Sequence, residues 1–263
     1  MSGQVRSVIR AMKILRYLSY SNSTNTLSEI SNGVELPAST THRLLTTLES
    51  EKFVKFDNDL SEWQIGVVAF SVGSRFARAR DLISFSRKYL QHLSSFSGET
   101  SNIYIESAGL IVCVAQIESK HNMRAITQVG GNINVHCSAA GKAIMAYRAK
   151  AEVELILSKH GMKKFTKYTI VEHKDFFDAL KIIARNGYSI DLEENLEGLC
   201  CVSAPIFNEN SRAVSAISVS GPSIRFSGKK LIKVSEELLS VSAEITSDYG
   251  GNPPHNWPNK IDD

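Results

Sequence analysis

The sequence is short of several features that would mark a specialised class. Its four cysteines, Cys113, Cys137, Cys200 and Cys201, form no C-x-x-C pair, which excludes the redox and zinc motifs built on that spacing. They stand inside apolar runs, where a free thiol behaves as a small buried hydrophobe in a reducing, cytoplasmic compartment. No run approaches the roughly 18 apolar residues of a membrane helix, and the first residues are polar where a signal peptide would be apolar. No membrane partner is expected. An excess of one charge is also missing. The net charge is +3 over 263 residues, too little to mark a nucleic-acid binder without a supporting distribution. The segment before Glu29 has no acid at all, while Arg6, Arg10, Lys13 and Arg16 make it locally basic.

What is present begins with helical periodicity. Val8, Met12 and Leu15, with Ile9, Ile14 and Leu18 beside them, predict an amphipathic first helix with Arg6, Arg10 and Lys13 sharing one face. After the polar turn NSTNT, the run from Thr26 to Glu29 reads as a capping box opening a short helix through Leu27, Ile30 and Val34. Pro37 stands just before a third helix, where its missing N–H costs little. In that helix Thr41, Leu44, Leu45 and Leu48 are spaced to pack inward. The opposite face then carries Ser39, Arg43, Thr46, Thr47 and Ser50, with Thr40 and His42 on its flanks. FVKF and EWQIG, on either side of the DND at 57–59, predict a β-hairpin. Three helices and a hairpin in about 60 residues form a winged helix-turn-helix. In such a unit Ser39, Thr40 and the first-turn N–H groups can hold a phosphate, and Arg43 can bond a guanine edge. The alternative is that Ser39 only caps the helix and Arg43 only meets solvent. Asp57 and Asp59 at the hairpin tip would be repelled by phosphates, so Lys52 and Lys55 suit backbone contact better.

Residues 67–98 read as one or two helices. Beyond residue 100, SNIYIES, IVCVAQIES and MRAITQ predict strands, AAGKAIMAY, AEVELILSKH and FFDALKIIARNG predict helices, CCVSAPIF and AVSAISVSG predict strands, and a last helix spans about 228–248. That pattern is an α+β domain. The tail GGNPPHNWPNKIDD is expected to be mobile. HCSAAGKA is not a P-loop, because His136 replaces the first glycine and Ala143 the Ser or Thr. Adjacent Cys200-Cys201 and His136-Cys137 point to opposite faces of a strand and make poor metal ligands, so no metal and no cofactor is expected. A thiol enzyme using Cys201 with a distant His stands as an alternative from another class.

The segments SVIRAMKIL, LSEIS, LPASTTHRLLTTLE and WQIG, followed in order by SGET, HCSAAGKA, GYSIDLEEN, GLCCVSAPIF and AISVSGP, resemble the IclR family of bacterial transcriptional regulators over roughly residues 5 to 250. The resemblance implies an N-terminal all-α winged helix-turn-helix with a β-hairpin wing at 1–66, linker helices at 67–98, a GAF-like α+β effector-binding domain at 99–250 and a flexible tail at 251–263. It implies a DNA-binding regulator of the bacterial cytoplasm, a repressor before an activator, that is not an enzyme and assembles as a dimer or tetramer on a double-stranded operator. Expected DNA contacts are Arg6, Ser39, Thr40, His42, Arg43, Thr47 and Lys55. A small organic acid, such as glyoxylate, pyruvate or a sugar or keto acid, is expected on Ala139, Ala140, Gly141, Asp191, Cys201, Ser218 and Ser220. Ala139 and Asn195 depart from the residues usual in glyoxylate-binding members, which leaves the ligand open.

Overall fold

The computed structural model describes residues 5–20, 25–79, 82–125, 127–255 and 257–258, with the side chains of 20 and 74–84 left aside. The chain divides into two compact units, residues 1–81 and 82–263.

In the first unit, α1 (Arg6–Tyr20), α2 (Leu27–Gly33) and α3 (Ala38–Ser50) precede the antiparallel strands β1 (Val54–Asp57) and β2 (Glu62–Ile65) and then α4 (Val67–Ala79). The capping box forms as the sequence indicates: Thr26 N donates to Glu29 Oε2 at 2.9 Å, and Glu29 N to Thr26 Oγ1 at 3.4 Å. Ile14, Leu18, Ile30, Val34, Leu45, Val54 and Trp63 build the core. The first turns of α1 depart from expectation, since Val8, Ile9 and Met12 are exposed. Only the later part of that apolar stripe reaches α2 and α3. Gly33 lets the end of α2 approach α1, because a Cβ there would come within 2.0 Å of the Tyr17 ring. The hairpin is tied to α3 by Phe56 N donating to Glu49 Oε1 at 3.0 Å. At its tip Asp57 Oδ1 accepts from Asp59 N and Leu60 N, so this acid shapes the turn.

The second unit runs α5 (Leu82–Ser97), β3 (Thr100–Ser107), β4 (Leu110–Ile117), β5 (Asn132–Ile133), α6 (Ala139–Met145), α7 (Lys150–His160), α8 (His173–Asn186), β6 (Ser189–Leu192), β7 (Leu199–Phe207), β8 (Ala213–Pro222) and α9 (Gly228–Asp248). Six strands form one sheet in the order β5-β4-β3-β8-β7-β6, every neighbour antiparallel. Strand alternation sorts the side chains. Ile103, Ile105, Val202, Ile217 and Val219 face a core shared with α5 and α9. Tyr104, Cys113, Phe207 and Ala216 face the opposite core, shared with α6, α7 and α8.

Two expectations fail here. MRAITQ forms no strand over its described residues; β5 lies later, and the segment is held by Thr100 Oγ1 donating to the Ala125 carbonyl at 2.9 Å. The start of the tail is packed: Trp257 is buried and meets Phe207 edge-on at 5.3 Å. Residues 256 and 259–263 of the expected tail lie outside the described residues.

Candidate functional site

On α3 the polar face divides into two kinds of hydroxyl. Thr41 is fully buried and its Oγ1 donates to the Pro37 carbonyl at 3.2 Å. Thr46 and Thr47 are exposed and bond back to the carbonyls of His42 and Arg43 at 2.9 Å. Ser39 and Thr40 make no side-chain hydrogen bond among the described residues. Pro37 is the N-cap, and no side chain caps the helix, so the capping role that Ser39 might have had is not the one it takes. First-turn N–H groups are thereby left without a side-chain partner. Ser39, His42, Arg43 and Thr47 are exposed along α3, Thr40 is half-buried, and Lys55 on β1 and Arg6 at the start of α1 are exposed as well. The arrangement is a helix end rich in donors, with the Arg43 guanidinium, unpaired among the described residues, a turn further on.

In the second unit a cavity of about 390 Å³ lies on the sheet face that carries α6. It exists because three strands place polar or small side chains where the neighbouring rows carry core residues. Cys201 and Ser220 are directly opposed on β7 and β8, and Ser218 is two residues from Ser220 on the same face. Ala139 and Ala140 of α6 line it together with Asp191, Cys201, Ser218 and Ser220. Gly141 does not. Its N–H is taken by Ser138 Oγ at 3.1 Å, and a Cβ at this position would come within 2.3 Å of the Val135 carbonyl. This glycine lets α6 start close to the preceding chain.

Asp191 anchors the wall that follows β6. Its Oδ1 accepts from Glu194 N at 2.7 Å and Asn195 N at 3.3 Å. Burial pushes its carboxyl up to about 7, against the pull of Lys142 and these N–H donors. Lys142 of α6 pairs with Glu194 and donates to the Ile190 carbonyl. Thr166 and Thr169 donate to the carbonyls of Glu193 and Glu194 at 2.7 and 2.6 Å. The wall is therefore preformed. Ser218 Oγ already donates to the Val202 carbonyl at 2.9 Å, so toward the cavity it offers lone pairs. Burial and the Asp191 charge hold the Cys201 thiol well above its ordinary range, which keeps it protonated and a poor nucleophile. His136 is not beside it: its ring bonds the Lys163 carbonyl and lines a separate small cavity with His160. Among the described residues lining the cavity there is no histidine to pair with Cys201.

The sequence reading missed Tyr104, Arg124 and Thr127, which also line the cavity. Tyr104 was discoverable, since it alternates with Ile103 and Ile105 on β3. Arg124 and Thr127 come from MRAITQ, read from the sequence as a strand but found in the loop between β4 and β5, where strand alternation assigns no face. That loop is clamped by Arg225, which donates to both oxygens of the buried Glu99 at 2.9 Å and to the Met123 carbonyl.

Comparison with known proteins finds matches to both units. The family model described as "IclR helix-turn-helix domain" matches residues 7–58, and "Bacterial transcriptional regulator IclR C-terminal" matches 75–247. The transcriptional repressor IclR of Escherichia coli K12 is 35% identical over 252 residues, covering 95% of this chain and 92% of that protein. The repressor AllR of the same organism is 33% identical over 241 residues, covering 92% and 89%. An IclR homologue from Microbacterium hydrocarbonoxydans, solved with 4-hydroxybenzoate, shares the fold at a TM-score of 0.80 and 18% identity over 92% of this chain and 98% of its own. With family matches to both units and full-length relatives above 30% identity, the chain belongs to the IclR family of bacterial transcriptional regulators.

Proposed function

We propose that this regulator represses its target genes by seating α3 in the major groove of an operator, and that a small organic acid in the cavity of the second unit changes that affinity. The DNA reading rests on one observation: α3 buries Thr41 and Leu45 while leaving Ser39, His42, Arg43 and Thr47 exposed and its N-terminal end uncapped. Ser39, Thr40 and the first-turn N–H groups then hold a phosphate, Arg43 bonds a guanine edge, and Lys55 and Arg6 neutralise flanking phosphates. One short helix reads too few bases for an operator, so two copies act together. The apolar, exposed Val5, Val8, Ile9 and Met12 supply a surface suited to self-association. The sign of control follows the repressors IclR and AllR. The effector reading rests on the preformed cavity, with Ala139, Ala140, Asp191, Cys201, Ser218 and Ser220 in its lining.

An effector shifts operator affinity only by the difference in its affinity for the two states. The direct test is a thermal-shift screen of small keto, hydroxy, aromatic and sugar acids on the full chain, with hits repeated on Ser220→Ala and then added to the protein–operator complex. A ligand at about a hundred times its Kd stabilises the wild type by about 2.7 kcal/mol, does so less in Ser220→Ala, and alters operator binding. Stabilisation by none of these acids contradicts the effector reading.

A further inference from the structure

The buried charges in the wall of the cavity do not balance. Asp191, Glu194 and Lys142 are 1%, 9% and 2% exposed, so two carboxylates share one ammonium away from water. That ammonium is spent on Glu194 and on the Ile190 carbonyl. Glu194 Oε2 is buried with no hydrogen-bond partner among the described residues, and the N–H groups of Glu194 and Asn195 fill only Oδ1 of Asp191. Of the three, Asp191 is the one that lines the cavity. The other ionisable groups facing it add no charge: burial holds Tyr104 of β3, Cys137 before α6, and Cys200 and Cys201 of β7 above their ordinary values, and so protonated. Of the other charged lining residues, Arg124 pairs with Glu118 at 2.8 Å and Glu197 is exposed. Fully ionised, the cluster therefore presents a surplus negative charge to the cavity.

We propose that an acid effector enters this cavity together with one proton, taken from solvent onto Asp191, so that the regulator reads its effector and pH jointly. The proposal rests on the effector reading of the cavity and adds how that site is regulated. An effector carboxylate bound beside this wall is a further negative charge in a space shielded from water, where like charges oppose each other's ionisation strongly. Lys142 cannot offset it, because its ammonium is already engaged by Glu194. A proton on Oδ2, the oxygen that the turn N–H groups leave free, removes the repulsion and turns the carboxyl into a hydrogen-bond donor. Burial already pushes both carboxyls up, Asp191 to about 7, against the pull of Lys142. The sign follows from that value. Below it the free protein holds the proton already, so binding takes up none and affinity is level. Above it the free carboxyl is ionised, each bound anion draws in a proton, and affinity falls by up to about tenfold per pH unit.

The test is isothermal titration calorimetry of pyruvate, glyoxylate and benzoate into the full chain and into Asp191→Asn, at about pH 6 and about pH 8. These acids stay singly charged over that range, so a change in affinity reports the protein. The wild type is expected to bind about tenfold more weakly at the higher pH, where titrations in two buffers of different ionisation enthalpy read nearly one proton taken up per acid bound. Asp191→Asn holds the neutral form permanently and keeps an oxygen for the turn N–H groups, so it binds with one affinity at both pH values and takes up no proton. The wild-type proton count decides the question by itself should circular dichroism show the variant unfolded. Equal wild-type affinity at both pH values, no proton uptake, or a pH dependence that persists in folded Asp191→Asn overturns the proposal and leaves the effector reading standing. No heat from any of the three acids also overturns it, and the effector reading falls with it only if the wider acid screen fails too.

Discussion

At the scale of single residues, Asp191 and Gly141 show how a binding motif divides into lining and support. Asp191 has a folded-state value of about 7, above the ordinary 3.8 of an aspartate. Between those values the folded protein keeps a proton that the unfolded chain has released, so stability falls as pH rises through that window. Asp191→Asn cannot ionise and keeps the turn acceptor. Its stability relative to wild type is expected to rise by about 2–3 kcal/mol between about pH 5 and about pH 8, measured by denaturant unfolding at both. A difference independent of pH would show that the carboxyl titrates normally. The resemblance to the IclR family implies that Gly141 holds the ligand together with Ala139 and Ala140. Its N–H is used by Ser138 and its missing Cβ makes room for the Val135 carbonyl. Gly141→Ala is therefore expected to cost about 1–3 kcal/mol through overpacking, seen as a lowered denaturation midpoint, whereas an unchanged midpoint would mean the backbone gives way freely.

At the scale of elements, α3 is where periodicity served best. Its spacing alone assigns Thr41 and Leu45 to the core and Ser39, Arg43 and Thr47 to the outside, and the packing agrees. Leu45→Ala should destabilise by about 2–5 kcal/mol, while Thr46→Ala on the outer face should stay within about 0.5 kcal/mol; equilibrium urea melts of the two variants compare them directly. Strand alternation was equally informative on β7 and β8, where it put Ser218 and Ser220 on one face and separated Cys201 from Cys200. Periodicity misled where neighbours, not neighbours in sequence, decide. The stripe of α1 continues through Val8 and Met12, yet both are exposed among the described residues. MRAITQ has the composition of a strand, but Met123, Arg124, Ala125 and Thr127 line the cavity instead, the segment being fixed by Thr100 and Arg225. The Gly- and Pro-rich start of the tail docks because one aromatic, Trp257, finds Phe207.

At the scale of the whole molecule, two independently readable units give a regulator its logic: one carries the polar helix proposed to meet DNA, and the other encloses a cavity lined by Asp191. A protein with net charge of only +3 binds DNA through placement of a few cations, so its affinity should fall steeply with salt, in proportion to the phosphates it neutralises. The central claim is that α3 reads the operator through Arg43. The most direct measurement is fluorescence anisotropy of the full chain on a duplex from its own upstream region, against Arg43→Ala and against a duplex of scrambled sequence, over a range of salt. The account predicts that Arg43→Ala keeps its fold by circular dichroism and loses about 1–3 kcal/mol, roughly ten- to hundredfold, on the specific duplex, with little loss on the scrambled one. Equal loss on both duplexes, or undiminished specific binding, would contradict it.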